Sequence, residues 1–155
     1  AYAQRGPGPG GPAPGGPAQK MNEQALALFQ QGKYDETIKV ARDGLEFAER
    51  RFGTDHPVVA LFQNRIAECF RMQARFDEAE EFFQRSLAIR EKAFGPDHRL
   101  VSQSVTNLGM MRMMQGRHEE AEALLKRGLA IREREVGGDS TAVALSLSAL
   151  ARVSA

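Results

Sequence analysis

Histidines, a cysteine, paired acids and a run of methionines are the residues in this chain that could do chemistry. His56 and His98 each follow an Asp at a spacing of 42, and Ser140 takes the third place. A metal centre needs several ligands converging on one ion, and no second ligand recurs beside either histidine. Both are therefore expected in loops that start helices. His118 is expected to pack at the start of its helix. Cys69 is the single cysteine, so no internal disulfide forms, and it reads as a small buried hydrophobe. Glu80–Glu81 and Glu119–Glu120 read as helix-start and surface acids that a helix dipole favours, not as an acid/base pair in a dry cleft. There is no nucleophile elbow and no HExxH pair. The Gly-rich stretch near the start has no strand before it, so it is not a phosphate loop. The expectation is a protein that is not an enzyme and uses no metal or cofactor.

The run GMMRMMQG, Gly109–Gly116, allows two readings. Methionine is flexible and polarisable, which suits a surface that adapts to partners, and it also fills irregular gaps in a core. Met111 is expected inside, with Met110, Met113 and Met114 nearer the surface. A copper-type thioether site is the weaker reading, since no Cys or His falls at helical spacing from these methionines along their helix.

Five of the seven prolines fall in the first 17 residues, among glycines and almost no large apolar side chains. Such a stretch cannot repay the entropy of folding, so residues 1–20 read as a disordered spacer. The tail holds Arg5 and Lys20 and no acid; the remainder has 19 basic and 20 acidic residues, a net charge of −1. A nearly neutral body offers no electrostatic case for nucleic acid, and no apolar run is long enough to span a membrane. The opening AYA before Gln resembles the small-x-small pattern ahead of a signal peptidase cut. The expected location is the cytoplasm, with export or the periplasm as the alternative.

The elements that must position these residues follow from an internal period. RSLAIREKAFGPDHRLV begins at Arg85 and RGLAIREREVGGDSTAV at Arg127, 42 residues on. At the same shift Tyr34, Phe76 and His118 align, as do Leu45, Leu87 and Leu129, and Gly53, Gly95 and Gly137. A fixed period of this length means stacked supersecondary units. Each unit reads as two helices. Between Asp77 and Phe94 the residues Phe82, Phe83, Leu87 and Ile89 form one apolar stripe. Gly95 and Pro96 stop that helix, and Asp97 is expected to cap the next, with Asp55 and Asp139 in matching places. The site of Gly32 and Gly116 holds Ala74 in the middle unit, so glycine reads as dispensable there. Small residues recur at three places: Ala25, Ala67 and Gly109; Thr37, Ala79 and Ala121; Gly44, Ser86 and Gly128. Helices approach closely only where side chains are small, so these are the expected crossing points.

Leu108–Gly109, Gly116, Ala121, Leu125 and Gly128 resemble the signature positions of the tetratricopeptide repeat, as do Ile66–Ala67, Phe70, Phe76, Ala79 and Phe83. The usual repeat has 34 residues. The longer unit, with GRHEEAEALLKRGLAIRE and FGPDH, resembles the repeats of kinesin light chains and their bacterial relatives. Thr37 and Arg112 depart from the pattern, and the first helix reads as short, Asn22–Gln31.

The resemblance implies an all-α, right-handed α-solenoid of antiparallel helix pairs. About three units are expected, at 22–63, 64–105 and 106–147, within a domain over 21–155 that ends in a helix at 139–153. It also implies a concave groove lined by the first helix of each pair. The positions there are Leu61, Asn64, Arg65, Glu68, Arg71 and Met72, then Gln103, Thr106, Asn107, Met110, Met113 and Met114. Asn64 and Asn107 would bond the backbone of an extended peptide, and Arg65 and Arg71 would fork onto carboxylates. The expected function is non-catalytic binding of a protein or peptide. The alternative is self-assembly through open repeat ends, where Leu145, Leu147 and Leu150 are apolar.

Overall fold

The computed structural model describes residues 11–13, 15–136 and 150. Among them are six α-helices and no strand: α1 (Pro17–Gln30), α2 (Tyr34–Phe52), α3 (Pro57–Met72), α4 (Phe76–Phe94), α5 (Arg99–Met114) and α6 (His118–Val136). The fold is an all-α helical repeat. No helix of the described residues is long and apolar enough to cross a membrane.

Three sequence expectations need correction. The first helix starts at Pro17, so residues 17–20 belong to it and not to the tail. Proline at a first helical position needs no N–H partner and is already set near helical φ. The Gln19 side chain also accepts from the Gly15 N–H, and Ala18 is buried. The helix pairs run 17–52, 57–94 and 99–136, so the expected boundaries at 63/64 and 105/106 fall inside α3 and α5. The period is as read, but its phase is set where α2 and α4 end, at Gly53 and Gly95. Residues 1–10, Pro14 and the expected helix at 139–153, apart from the helical Leu150, lie outside the described residues.

The third correction concerns caps. His56 caps α3 and His98 caps α5. Each Nδ1 accepts from the backbone N–H two residues on, at 3.1 Å, from Val58 and Leu100 respectively. Each imidazole also stacks on the last residue of the preceding helix, with ring centroids 4.5 Å apart for Phe52–His56 and 4.4 Å for Phe94–His98. Among the described residues, the N-cap of each of these two helices is thus the histidine and not the aspartate before it, and Asp139 lies outside the described residues. Asp97 pairs with Arg134 at 2.8 Å on the surface. An N-cap needs only an acceptor that reaches the free N–H groups of the first turn, and the histidine one place later is held there by its ring stack.

Two compact units divide the chain, residues 1–89 and 90–155, with the break inside α4. In the first, α1 packs on α2 and both touch α3. Its core holds Val58, Val59, Phe62, Ile66, Phe70 and Phe83, all at most 2% exposed. Burying side chains of this size contributes about 1.5–3 kcal/mol each. In the second, α5 packs along α6 around Val101, Val105, Met111, Leu125 and Ile131. The small residues do lie at the crossings. Ala25, Ala67, Ala79, Ala121, Thr37 and Ser86 are fully buried. Ser86 Oγ donates to the Ala60 carbonyl at 3.0 Å, and Ser102 Oγ donates to the Gly128 carbonyl at 2.9 Å. Thr37, a departure from the family pattern, donates its hydroxyl to the Lys33 carbonyl at 2.7 Å.

The turns after α1, α3 and α5 share one geometry. Lys33, Arg75 and Arg117 donate their N–H back to the carbonyls of Leu28, Phe70 and Arg112 at 2.8–3.0 Å. That closure needs a left-handed residue between. Gly32 and Gly116 supply it with φ of 74° and 78°, while Ala74 is forced to φ 59°. Alanine is tolerated there, but at a steric cost that glycine avoids.

Candidate functional site: the outer faces of α3 and α5

In the first unit, α3 carries six of the expected groove residues, and the structure sorts them. Asn64 is only 6% exposed and already holds an interaction within the protein, so it does not present its amide to a partner. Arg65 Nη1 pairs with Glu68 Oε2 at 2.9 Å, and its guanidinium lies 5.5 Å from the centre of the Phe29 ring. That fork is committed to its own helix and to α1. Leu61 and Arg71 are half-buried, and the Arg71 carbonyl accepts from the Ala74 N–H in the turn that follows. Met72 is 47% exposed.

Two residues of α1 belong to the same face and were not among the expected positions. Leu26 is 36% exposed, and Phe29 packs under Arg65. The period held the signal, because Leu26 aligns with Glu68 and Met110, and Phe29 with Arg71 and Met113.

In the second unit, α5 contributes the other six. Gln103 is exposed, but its Oε1 accepts from Arg90 Nη1 at 3.2 Å. Arg90 is itself buried and also donates to Ser104 Oγ at 2.9 Å. Thr106 faces α6, since a Cβ added at Gly128 would collide with its hydroxyl. It is part of a helix crossing. Asn107 is half-buried and holds an interaction of its own. Met110 and Met113 are half-buried, Met114 is 48% exposed, and Met111 is fully buried as expected. Among these six, the three methionines are the side chains that remain at the surface with no polar commitment.

The departure at Arg112 has a local explanation. Its counterpart Phe70 packs 5.8 Å from Phe82 and lies under Arg75 at 4.5 Å. Arg112 is buried, and its Nε lies 3.2 Å from Glu120 Oε2, a carboxylate shared with Arg117 at 2.6 Å. The contact is an ion pair without an aligned Nε hydrogen bond.

The remaining chemistry-bearing groups serve structure. His56 and His98 are caps. His118 is exposed, contrary to the expected packing; it opens α6 where Tyr34 and Phe76, half-buried, open α2 and α4. Among the described residues, no three of His, Cys, Asp and Glu gather to hold a metal ion. Cys69 is buried beside Thr37, and desolvation pushes its thiol up to about 11, with a smaller push from Glu68 and opposing pulls from Arg65 and Thr37.

Six helices in 42-residue pairs, small residues at each crossing and a left-handed residue closing each intra-pair turn define a helical-hairpin repeat protein. The chain belongs to the tetratricopeptide repeat family, whose model matches residues 17–92, 59–134 and 101–154. No curated protein matches it. Among solved structures it is similar to BtubC (BKLC) from P. vanneervenii, at 20% identity and a TM-score of 0.81, covering 88% of this chain and 54% of that one. The chain thus spans about half the length of that relative. It is also similar to a putative kinesin light chain with nearly identical TPR-like repeats from Podosopora anserina, at 21% identity and a TM-score of 0.79, covering 90% of this chain and 67% of that one. A third is the first TPR of Spaghetti (RPAP3) bound to the HSP90 peptide SRMEEVD, at 18% identity and a TM-score of 0.65, covering 88% and 90%. At these identities the likeness is one of fold.

Proposed function

We propose that this chain is a protein-binding module whose partner-binding surfaces are the outer face of α3 in the first unit and, separately, the outer face of α5 in the second. Membership of a family of helical-hairpin repeats supports the general role. So does similarity to a repeat domain solved with a peptide and to the type III secretion translocator chaperone SycD of Yersinia enterocolitica. One observation carries the placement. Met72 and Met114 occupy the same register 42 residues apart, and each leaves about half of its side chain in solvent. Large apolar side chains exposed at a repeated position favour a covering surface.

A photo-cross-linking residue at position 72 or 114, with a control at the exposed Lys39 of α2, tests this. A partner trapped from 72 or 114 and absent from 39 is expected. A product of two chain masses would make the occupant a second copy. Purified binding then decides. Met72→Glu with Met114→Glu should weaken affinity about tenfold or more, with helix content and urea midpoint retained. Unchanged affinity in a folded variant would overturn the placement.

A further inference from the structure

The α5 face carries a chemistry that recognition does not use. Met110, Met113 and Met114 stand at i, i+3 and i+4, which places them on one side of the helix. Met111 between them is turned into the core with no exposure, while Met114 is 48% exposed. The helix contains no acid, and its one cation near the run, Arg112, is buried against Glu120. The outer face of this turn is therefore uncharged and sulfur-rich. The usual first target of a peroxide is a cysteine thiolate. Cys69 is buried, and its thiol, raised to about 11, is ionised only to about one part in ten thousand at neutral pH. The exposed thioethers are left as the accessible reduced sulfur of the described residues.

We propose that Met110, Met113 and Met114 form an oxidation site at which a peroxide converts thioether to sulfoxide and turns the outer face of α5 from apolar to polar. The sulfur lone pair attacks one peroxide oxygen. The S–O bond forms as the O–O bond breaks, and the departing hydroxide takes the proton of the transferred hydroxyl to leave as water. Sulfur loses two electrons and the peroxide gains them. A dithiol-dependent sulfoxide reductase reverses the change, since sulfoxide is the reversible rung of methionine oxidation. Met111 is spared because its sulfur meets solvent only when the unit opens. The consequence for binding rests on the recognition role proposed above; the oxidation site itself does not.

Hydrogen peroxide added to the folded chain, followed by peptide mapping, tests the site. On α5, sulfoxide should accumulate first at Met114, with Met113 and Met110 next; the similarly exposed Met72 of α3 should keep pace with Met114. Met111 should lag Met114 about tenfold or more, and the lag should vanish in denaturing urea. Retention on a phenyl column should fall with oxidation and recover after sulfoxide reductase treatment. A Met110→Leu, Met113→Leu, Met114→Leu variant should lose much less retention than the native chain through the same peroxide exposure, the remainder coming from the exposed Met72. Equal oxidation of Met111 and Met114 in the folded chain overturns the proposal. So does oxidation of Cys69 ahead of the methionines, or retention that does not change with sulfoxide content. If selective oxidation changes retention but leaves the affinity of a cross-linked partner untouched, the site stands and the recognition reading of α5 fails.

Discussion

Gly44→Ala separates two forces of opposite sign. Gly44 sits in the middle of α2, where alanine is worth about 1 kcal/mol more than glycine by helix propensity alone. A Cβ at this position would stand 2.6 Å from Cζ and 2.8 Å from Cδ1 of Phe62 on α3. Phe62 has no exposure, so its ring cannot swing aside into solvent. Overpacking of this kind costs about 1–3 kcal/mol. The net expectation is a loss of about 1 kcal/mol, and with a urea slope of about 2 kcal/mol per molar the midpoint falls by roughly 0.5 M. Phe62→Leu removes the ring edge that meets the new methyl. In that background Gly44→Ala should raise the midpoint, giving a coupling of about 1–2 kcal/mol in a double-mutant cycle. The assay is urea unfolding followed by circular dichroism at 222 nm. A higher midpoint for Gly44→Ala in the otherwise native chain would refute the reasoning, because propensity would then have outweighed a contact that is not there.

Two further outcomes follow from local geometry. Ala74→Gly should stabilise by about 0.5–1 kcal/mol, by releasing a left-handed alanine at φ 59°, and a lower urea midpoint would contradict it. Cys69 gives a pH signature. Its thiol is raised from 9.0 to about 11 in the folded chain, so the folded state holds the proton more tightly than the unfolded state. That contribution is complete below about pH 9 and is lost as the pH climbs toward about 11. The stability difference between the native chain and Cys69→Ala should therefore shrink over this window, by an amount on the order of 2 kcal/mol. Urea midpoints of both at pH 8, 9.5 and 11 measure it, and a constant difference would count against the burial argument.

Much of the fold could be read without coordinates, because each hairpin repeats the same local demands. Ala67 and Gly109, Ala79 and Ala121, Ser86 and Gly128 had to be small wherever one helix crosses another, and all are buried. The site was less legible. Asn64 and Thr106 looked like groove residues by register, but both turn away from the surface, Asn64 into burial and Thr106 against Gly128. Arg65 looked like a free fork, but Glu68 and Phe29 hold it.

A linear sequence therefore determined the helical hairpins, their 42-residue length, the small residues at their crossings and the family they belong to. These follow from periodic patterns and backbone chemistry, which act over a few residues. Only the tertiary structure decided the phase of the pairs, the choice of His56 and His98 over their neighbouring aspartates as caps, and which polar side chains on α3 and α5 are already engaged. Those outcomes depend on what a side chain meets from another helix or across a turn, such as the Phe52 and Phe94 rings or the Gly128 backbone. A period records that two positions are equivalent; it does not record what stands opposite them.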